Sequence, residues 1–423
     1  IETSQTTSNS AGKVRQSGNF RTDPRDSGIR QFRTEAGSEL TFFPVDWSRP
    51  AKYIIFRGGS NHRGFFCHER SPVTSRVPLN VLRTFATDCF QATGLNSKDS
   101  STAAETLTGT DLLGVFTHGT KLLAGYLRKL QGGGYRTAAI PRIEREGPAW
   151  AVIDGDSGLG QVGCHNAMLT AIQKAQTCGV AFVSIRNTGH IGAAGQYALL
   201  AARHGCAAMI TGNDIPSVAA PGSRTAVLGS NPLAFAIPTD SNPILLDIAT
   251  AAVAGGKVYA AWQRGETIPP TWLIGPDGLP TTDGSLYPHS AALAPMAGHK
   301  GYGLGLWCEV LSGLIPGGHM TWQVGSWMFD PVDRPSWHNA SMTVINIDAM
   351  TDRQHFNSRI RTLIDEIHAA PPAAGATGVL LPGEREFDIA REAEKLGIDL
   401  PADVRTKLQE AAKLVSIPLP AEV

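Results

Sequence analysis

Two histidines stand in polar turns bounded by glycine. His118 lies in GVFTHG and His190 in NTGHIG. Histidine has its pKa near neutrality, so it can take or give a proton at working pH. A lone histidine is more often structural than catalytic, and here the neighbours favour chemistry. Thr117 precedes His118, and Lys121 and Tyr126 follow on what reads as the next helix. After His190, a helix over GQYALLAARHG stops at Gly205, where a positive φ costs little. The strand CAAMIT then delivers a polar loop from Gly212 to Pro221, with Asn213 and Asp214 in it. Two loops flanking one helix can hold a histidine opposite a carboxylate on a rigid frame.

Other pieces could hold an anion. Gly298, His299, Lys300 and Gly301 open a helix, and free N–H groups beside a lysine suit a phosphate, although an ordinary capped helix fits equally. Asp247 follows the apolar run ILL, which places its carboxylate at a strand end, either as a cap or as a ligand contact. Gly158, Gly160 and Gly163 spell GxGxxG between the strand at 149–153 and a helix at 164–178. That is the dinucleotide fingerprint. Yet the next strand, VAFVSI, ends at Arg186, with no acid for a ribose hydroxyl, so a tight strand-to-helix turn is the simpler reading.

The elements that must carry these groups are legible from periodicity. Val81, Leu82, Phe85, Ala86, Cys89 and Phe90 recur at helical spacing, and a second helix spans about Ser100–Leu113. NPLAFAIP, PILLDIAT and ASMTVINID read as strands. Residues 255–283 read as turn-rich and residues 317–336 as irregular. Helices are expected at Arg353–His368, about Phe387–Leu396 and Ala402–Leu414. Residues 1–76, rich in Ser, Thr, Arg and Gly, read as a poorly ordered extension.

Composition bounds the function. With 423 residues, 42% of them apolar, the chain can bury a large core in two or three domains. Its 37 basic and 37 acidic side chains balance, which gives no reason to expect nucleic acid or an acidic membrane as partner. The six cysteines are scattered in apolar runs, as buried thiols in a reducing compartment would be. No cluster has metal-ligand spacing, no run is long enough to span a membrane, no secretory pattern opens the chain, and no GxSxG elbow suggests a hydrolase. A cytoplasmic protein is expected.

From Val77 onward the chain resembles the type-2 malate/L-lactate dehydrogenase family. The pieces that carry the resemblance are GVFTHG, NTGHIGAAGQYA, NDIPSVAAPG, LGSNPLAFAIP, LLDIAT, AGGKVYAA, GLPTTD, GHKGYGLGL and LPGERE, in family order. The resemblance implies a mixed α/β fold that is not a Rossmann fold. A largely antiparallel nicotinamide-binding domain, 148–329, would join a helical substrate domain built from 77–147 and 330–423. It implies NAD or NADP as cofactor, a small 2-hydroxy or 2-oxo acid as substrate, and a homodimer with an interfacial site. His118 takes the acid/base role, with Thr117, Tyr126, His190 and Asp214 as its companions. The register at Asp214 leaves Ile215 as an alternative match. Leu122 stands where some members have a carboxylate-binding arginine, so Lys121, Arg186 or Asn213 would hold the substrate. Asp247, Ile248, Ala249, Thr250, His299, Lys300, Gly301, Gly383 and Glu384 would bind the cofactor. Reduction of a cyclic imine acid needs the same geometry and is the nearest alternative activity. A non-catalytic nucleotide-binding paralogue is the alternative of another class.

Overall fold

The computed structural model describes residues 76–423 and, before them, the backbone of one antiparallel hairpin, β1 (Arg30–Arg33) with β2 (Glu39–Phe42). The hairpin belongs to a unit spanning Ile1–Glu69, and Arg70–Val423 forms the other. The rest of the extension expected at 1–76 lies outside the described residues.

In the larger unit, three helices come first: α1 (Leu79–Ala92), α2 (Ser97–Leu112) and α3 (Leu123–Gly132). There follow β3 (Arg142–Gly147), β4 (Trp150–Asp154), α4 (Gly160–Cys178), β5 (Val180–Thr188), α5 (Gly195–Arg203) and β6 (Cys206–Gly212). Short strands β7 (Val218–Ala219) and β8 (Ala226–Leu228) precede β9 (Leu233–Ile237) and β10 (Ile244–Ile248). Then come α6 (Gly255–Gln263), β11 (Leu273–Ile274), β12 (Pro280–Thr281), β13 (Ala292–Leu293) and α7 (His299–Glu309). The chain closes with β14 (His338–Asn346), α8 (Ile347–Met350), α9 (Arg353–His368), α10 (Glu384–Leu396) and α11 (Ala402–Val415).

Seven strands form the main sheet in the order β10-β9-β6-β14-β5-β4-β3. Only β4 and β5 run parallel, joined through α4, and the other neighbours are antiparallel. The fold is therefore mixed α/β and largely antiparallel, as the resemblance implies. Strand β14 pairs with β5 on one side and β6 on the other. Ala340, Met342 and Val344 enter the core shared with Ala167, Met168 and Ala171 of α4. On the opposite face, Ser341 and Ser312 each share a 2.8 Å hydrogen bond with the Thr211 hydroxyl. Both faces are covered, so the strand is buried almost throughout rather than alternating. The boundary drawn at residue 330 placed this strand with the helical segment, whereas it lies in the middle of the sheet. Backbone pairing, which leaves no local periodicity signal, decides that membership.

A second core joins α1, α2, α3 and α11, through Leu82, Phe90, Leu107, Leu123, Leu127, Val404 and Leu408. The N- and C-terminal segments thus share one helical layer. Helix α2 buries three threonines without penalty, because Thr106, Thr108 and Thr110 each donate to the carbonyl four residues back. Residues 255–283, read as turn-rich, contain α6 and two strands of a five-stranded sheet, β12-β11-β13-β7-β8. Val218, Val258, Ile268, Leu273 and Leu293 form its core. Strands of two residues carry too little pattern to be seen in sequence. No described helix is long and apolar enough to cross a membrane.

Candidate active site

The glycine-rich turn after β4 explains where His190 sits. Helix α4 starts at Gly160, four residues earlier than expected. A Cβ on Gly160 would lie 2.4 Å from the carbonyl oxygens of Gly189 and His190, and one on Gly163 would lie 2.8 Å from Ile185. Gly189 N–H donates to Gly158 O at 2.8 Å. Gly160 therefore lets the helix start approach the His190 loop, Gly163 lets it pack on β5, and the loop occupies the ground where a Rossmann turn would take a phosphate. Tyr197 on α5 donates its hydroxyl to Ile191 O and ties the loop from its other side.

A buried carboxylate holds the His118 turn. Asp111, at the end of α2, accepts from Thr120 N at 3.0 Å and from Thr120 Oγ1 at 2.6 Å. A Cβ on Gly119 would lie 1.8 Å from Asp111 Oδ1, so only glycine fits after His118. Burial pushes the Asp111 carboxyl up to about 7, against the lowering effect of the Thr120 bonds. A 3₁₀ turn, Thr120–Leu122, then leads into α3.

Helix α3 brings Tyr126 inward. Its hydroxyl lies 2.7 Å from His190 Nδ1. The His118 and His190 rings stack with centroids 6.1 Å apart. Trp327 stacks on both His190, at 4.7 Å, and Tyr126, at 4.9 Å. Room for the indole comes from Gly125, whose Cβ would meet it at 2.7 Å. The buried Lys129 fixes the same loop by donating to Pro331 O and Arg334 O, both at 2.9 Å. Edge-on to His190 stands His338, 5.4 Å between centroids, and His338 Nε2 lies 3.1 Å from Asp214 Oδ1.

Burial dominates the electrostatics. It lowers the pKa of His190 well below the ordinary histidine value, with His338 adding to the shift and Asp214 opposing it. Burial also lowers that of His118. Both rings are thus neutral at pH 7. Burial alone would raise the Asp214 carboxyl, but the His338 hydrogen bond, helped by the neighbouring His338 and His190 rings, brings it below its usual range. Tyr126 is a phenol throughout, held well above its usual range by burial.

His118, Tyr126, His190 and Asp214 therefore come together, and Thr117 Oγ1 lies 3.0 Å from His118 Nδ1. The three candidates for the substrate carboxylate sit otherwise. Lys121 pairs with Asp403 at 2.7 Å. Arg186 pairs with Glu144 at 2.6 Å and donates to Gly317 O at 2.9 Å. Asn213, only 2% exposed, bonds Asn339, His319 O and Glu309. Sequence reasoning missed Trp327, His338, Tyr135 and Ser336, which come from a segment read as irregular or stand alone in the chain.

A cavity of about 310 Å³ adjoins both histidine turns, since Val115 and Ala193 line it. Asp247, Ile248 and Gly383 also line it, together with Gln196, Arg385 and Glu386. Asp247 accepts from Gly195 N at the start of α5, at 2.7 Å, and still lines the cavity. Gly383 has φ 92° and packs on Leu245, which a Cβ would strike at 2.9 Å. The other expected cofactor residues lie outside this lining. Ala249 follows β10, and Thr250 is buried, bonding Ser230 O and Asn231 O. Glu384 accepts from Leu381 N and pairs with His368. His299 and Lys300 are exposed at the start of α7, and Gly301 is buried where a Cβ would lie 1.9 Å from Met296 O.

The sequence profile described as malate/L-lactate dehydrogenase matches residues 77–409, from α1 to α11 and through both histidine turns. The chain belongs to that family. A malate dehydrogenase of Pyrococcus horikoshii is 35% identical over 349 residues, covering 81% of this chain and 96% of the relative. A ureidoglycolate dehydrogenase (NAD(+)) of Escherichia coli O157:H7 is 35% identical over 313 residues, 74% of this chain and 88% of the relative. Among solved structures, the sulfolactate dehydrogenase of Methanocaldococcus jannaschii superposes with a TM-score of 0.75 at 30% identity, covering 81% of this chain and 98% of that one. As a family member, this chain is an oxidoreductase acting on hydroxy acids.

Proposed function

We propose that the protein oxidises a small 2-hydroxy acid, of the malate, sulfolactate or ureidoglycolate type, with NAD as acceptor, and that His190 carries the proton. The observation that carries this reading is the 2.7 Å contact between Tyr126 Oη and His190 Nδ1. In the tautomer that donates Nδ1–H to the tyrosine oxygen, His190 presents a bare Nε2, and its depressed pKa keeps it ready to accept. The bound nicotinamide supplies the hydride acceptor. His190 Nε2 takes the hydroxyl proton as the carbonyl forms, and returns it in the reverse direction. Asp214 stabilises the imidazolium so created. Trp327 covers the His190 face and excludes water, and His118 contributes a second neutral ring to the substrate pocket. This moves the acid/base role from His118, the expectation from sequence, to the histidine that Tyr126 orients.

The cavity suits the cofactor. Its carboxylates, Asp247 and Glu386, can accept from ribose hydroxyls, while Arg385 in the same lining suits a phosphate; the choice of NAD is supported by the NAD(+)-dependent ureidoglycolate relative. Turnover of malate, lactate, sulfolactate and ureidoglycolate with each cofactor tests the reading. At least one acid should reduce NAD with a kcat/KM above that for NADP, and His190→Ala should lower kcat by about 10²–10⁴-fold. Absence of turnover with every pair would overturn the activity. Near-normal kcat in His190→Ala with loss in His118→Ala would restore the proton to His118.

A further inference from the structure

Five groups from four parts of the chain form one directed line of hydrogen bonds beneath His190. His190 N–H donates to Tyr135 Oη at 3.0 Å. Tyr135 Oη and Ser336 Oγ are 3.0 Å apart, and Ser336 Oγ lies 2.9 Å from His338 Nδ1. His338 Nε2 reaches Asp214 Oδ1 at 3.1 Å. Tyr135, Ser336 and His338 are each 1% exposed, so water cannot replace a missing partner.

The line has a single consistent direction. The Tyr135 oxygen accepts from His190, so its own hydrogen goes to Ser336. The Ser336 hydrogen then goes to His338 Nδ1, which must be bare, and Nε2–H goes to the carboxylate. A proton on Nδ1 would turn the Ser336 hydrogen back onto Tyr135 and leave the buried phenol hydrogen without its acceptor. The direction of the line thus selects the neutral Nε2–H form of His338.

We propose that His338 is a positioning residue for the hydroxy-acid reaction, fixing the ionised Asp214 with one ring nitrogen and the main chain of His190, through Ser336 and Tyr135, with the other. The proposal rests on the reading of His190 given above. Nothing in the sequence pattern or in the relatives' names points to His338. Its effect is exerted through Asp214 and His190, which face the reacting oxygen, and not by contact with substrate. The titratable groups facing Asp214 are His338, His190 and His118, with Tyr126, Tyr135 and Tyr287 further out.

Two substitutions separate the two ends of the ring. The amide of His338→Asn occupies the Nδ1 position and can still accept from Ser336, but it cannot reach Asp214. The longer amide of His338→Gln reaches Asp214 but not Ser336. His338→Asn is expected to lower kcat about 10–100-fold while the KM for NAD stays within about twofold. Its acid limb in the kcat/KM profile should move to higher pH, because Asp214 loses a donor and takes a proton more readily. His338→Gln should keep the limb in place and lose less than about tenfold in kcat. A readout independent of turnover is the ¹⁵N spectrum of histidine-labelled protein at pH 8. The signal pair missing from His338→Asn should report a neutral ring protonated at Nε2, and Ser336→Ala should shift the Nδ1 signal, which loses its donor, while Nε2 keeps its hydrogen on Asp214. Should His338→Asn not fold, the His338→Gln and Ser336→Ala comparisons carry the same test. Both His338 variants losing activity only in step with Tm, with an unmoved pH profile, would overturn the proposal. So would a wild-type signal from an Nδ1–H ring or an imidazolium. An inactive wild type with the expected spectrum would instead overturn the dehydrogenase reading alone.

Discussion

Asp111 shows how one residue sets both shape and pH response. Its carboxylate is fully buried under the His118 turn, and Oδ1 has no hydrogen-bond partner. Burial raises its pKa to about 7 in the folded chain, against about 3.9 in an unfolded one. The folded state therefore holds the proton more tightly. The stability linked to it is complete below about pH 4 and is lost as pH rises through about 7. Asp111→Asn keeps an acceptor for Thr120 and removes the charge. Its stability should exceed that of the wild type increasingly from pH 5 to about pH 7 and level off by pH 8, with a slope of up to about 1.4 kcal/mol per pH unit. Parallel Tm curves for the two proteins across that range would show that Asp111 is not the group responsible. At His190, the depressed pKa predicts that kcat/KM for oxidation stays level below pH 6.5, falling only when the ring, or Asp214 beside it, takes a proton. A limb at or above 6.5 in the wild type would contradict that assignment.

At the scale of elements, the start of α4 and the His190 loop form one unit. Gly160→Ala places a methyl 2.4 Å from two carbonyl oxygens of that loop, so the loop must move. The expected result is a kcat loss of at least about tenfold with the fold retained, since small displacements of a catalytic group are costly. A variant with unchanged kcat and KM would mean that the loop is not held by this contact. Much of this frame was legible. Helix α9 was expected at its observed bounds, and α11 differs by one residue at its end. His118, His190, Tyr126 and Asp214 were found because short polar turns around them interrupt regular apolar patterns. Trp327, Ser336 and His338 were not, because residues 317–336 have no periodicity and their contacts are made across the fold. The partners of Lys121, Arg186 and Asn213 were hidden for a related reason: sequence displays a charge or an amide but not the group it meets.

For the molecule as a whole, exposed large apolar side chains concentrate between residues 304 and 332. Trp307 on α7 is 52% exposed, and Trp322 and Phe329, in the segment that also carries Trp327, are each 71% exposed. Leu304, Leu306, Ile315, Met328 and Val332 are exposed with them. A monomer rarely leaves so many large apolar side chains in water, and a second copy of the chain is the expected cover. Sedimentation at micromolar concentration should give at least twice the chain mass, and Trp307→Glu with Phe329→Glu should shift it to one. A fully active wild-type monomer would rule out the dimer. Removing residues 1–70 should leave turnover intact, since the family match begins at residue 77. Loss of activity in the shortened chain would show that the first segment contributes to the reaction.

The place of β14 governs the order in which the protein can be made. Strands β5 and β6 leave a gap that only residues 338–346 fill. A ribosome adding about 5–20 residues per second needs roughly seven to thirty seconds to travel from the end of β6 to the end of β14. Until β14 arrives, the edges of β5 and β6 that it pairs with lack their partner and are open to other chains. Nascent chains halted before residue 338 should be cut readily by protease and captured by chaperones, and chains released after α11 should resist both. The His190 loop and the Asp214 loop leave the ribosome well before the strand that locks them together.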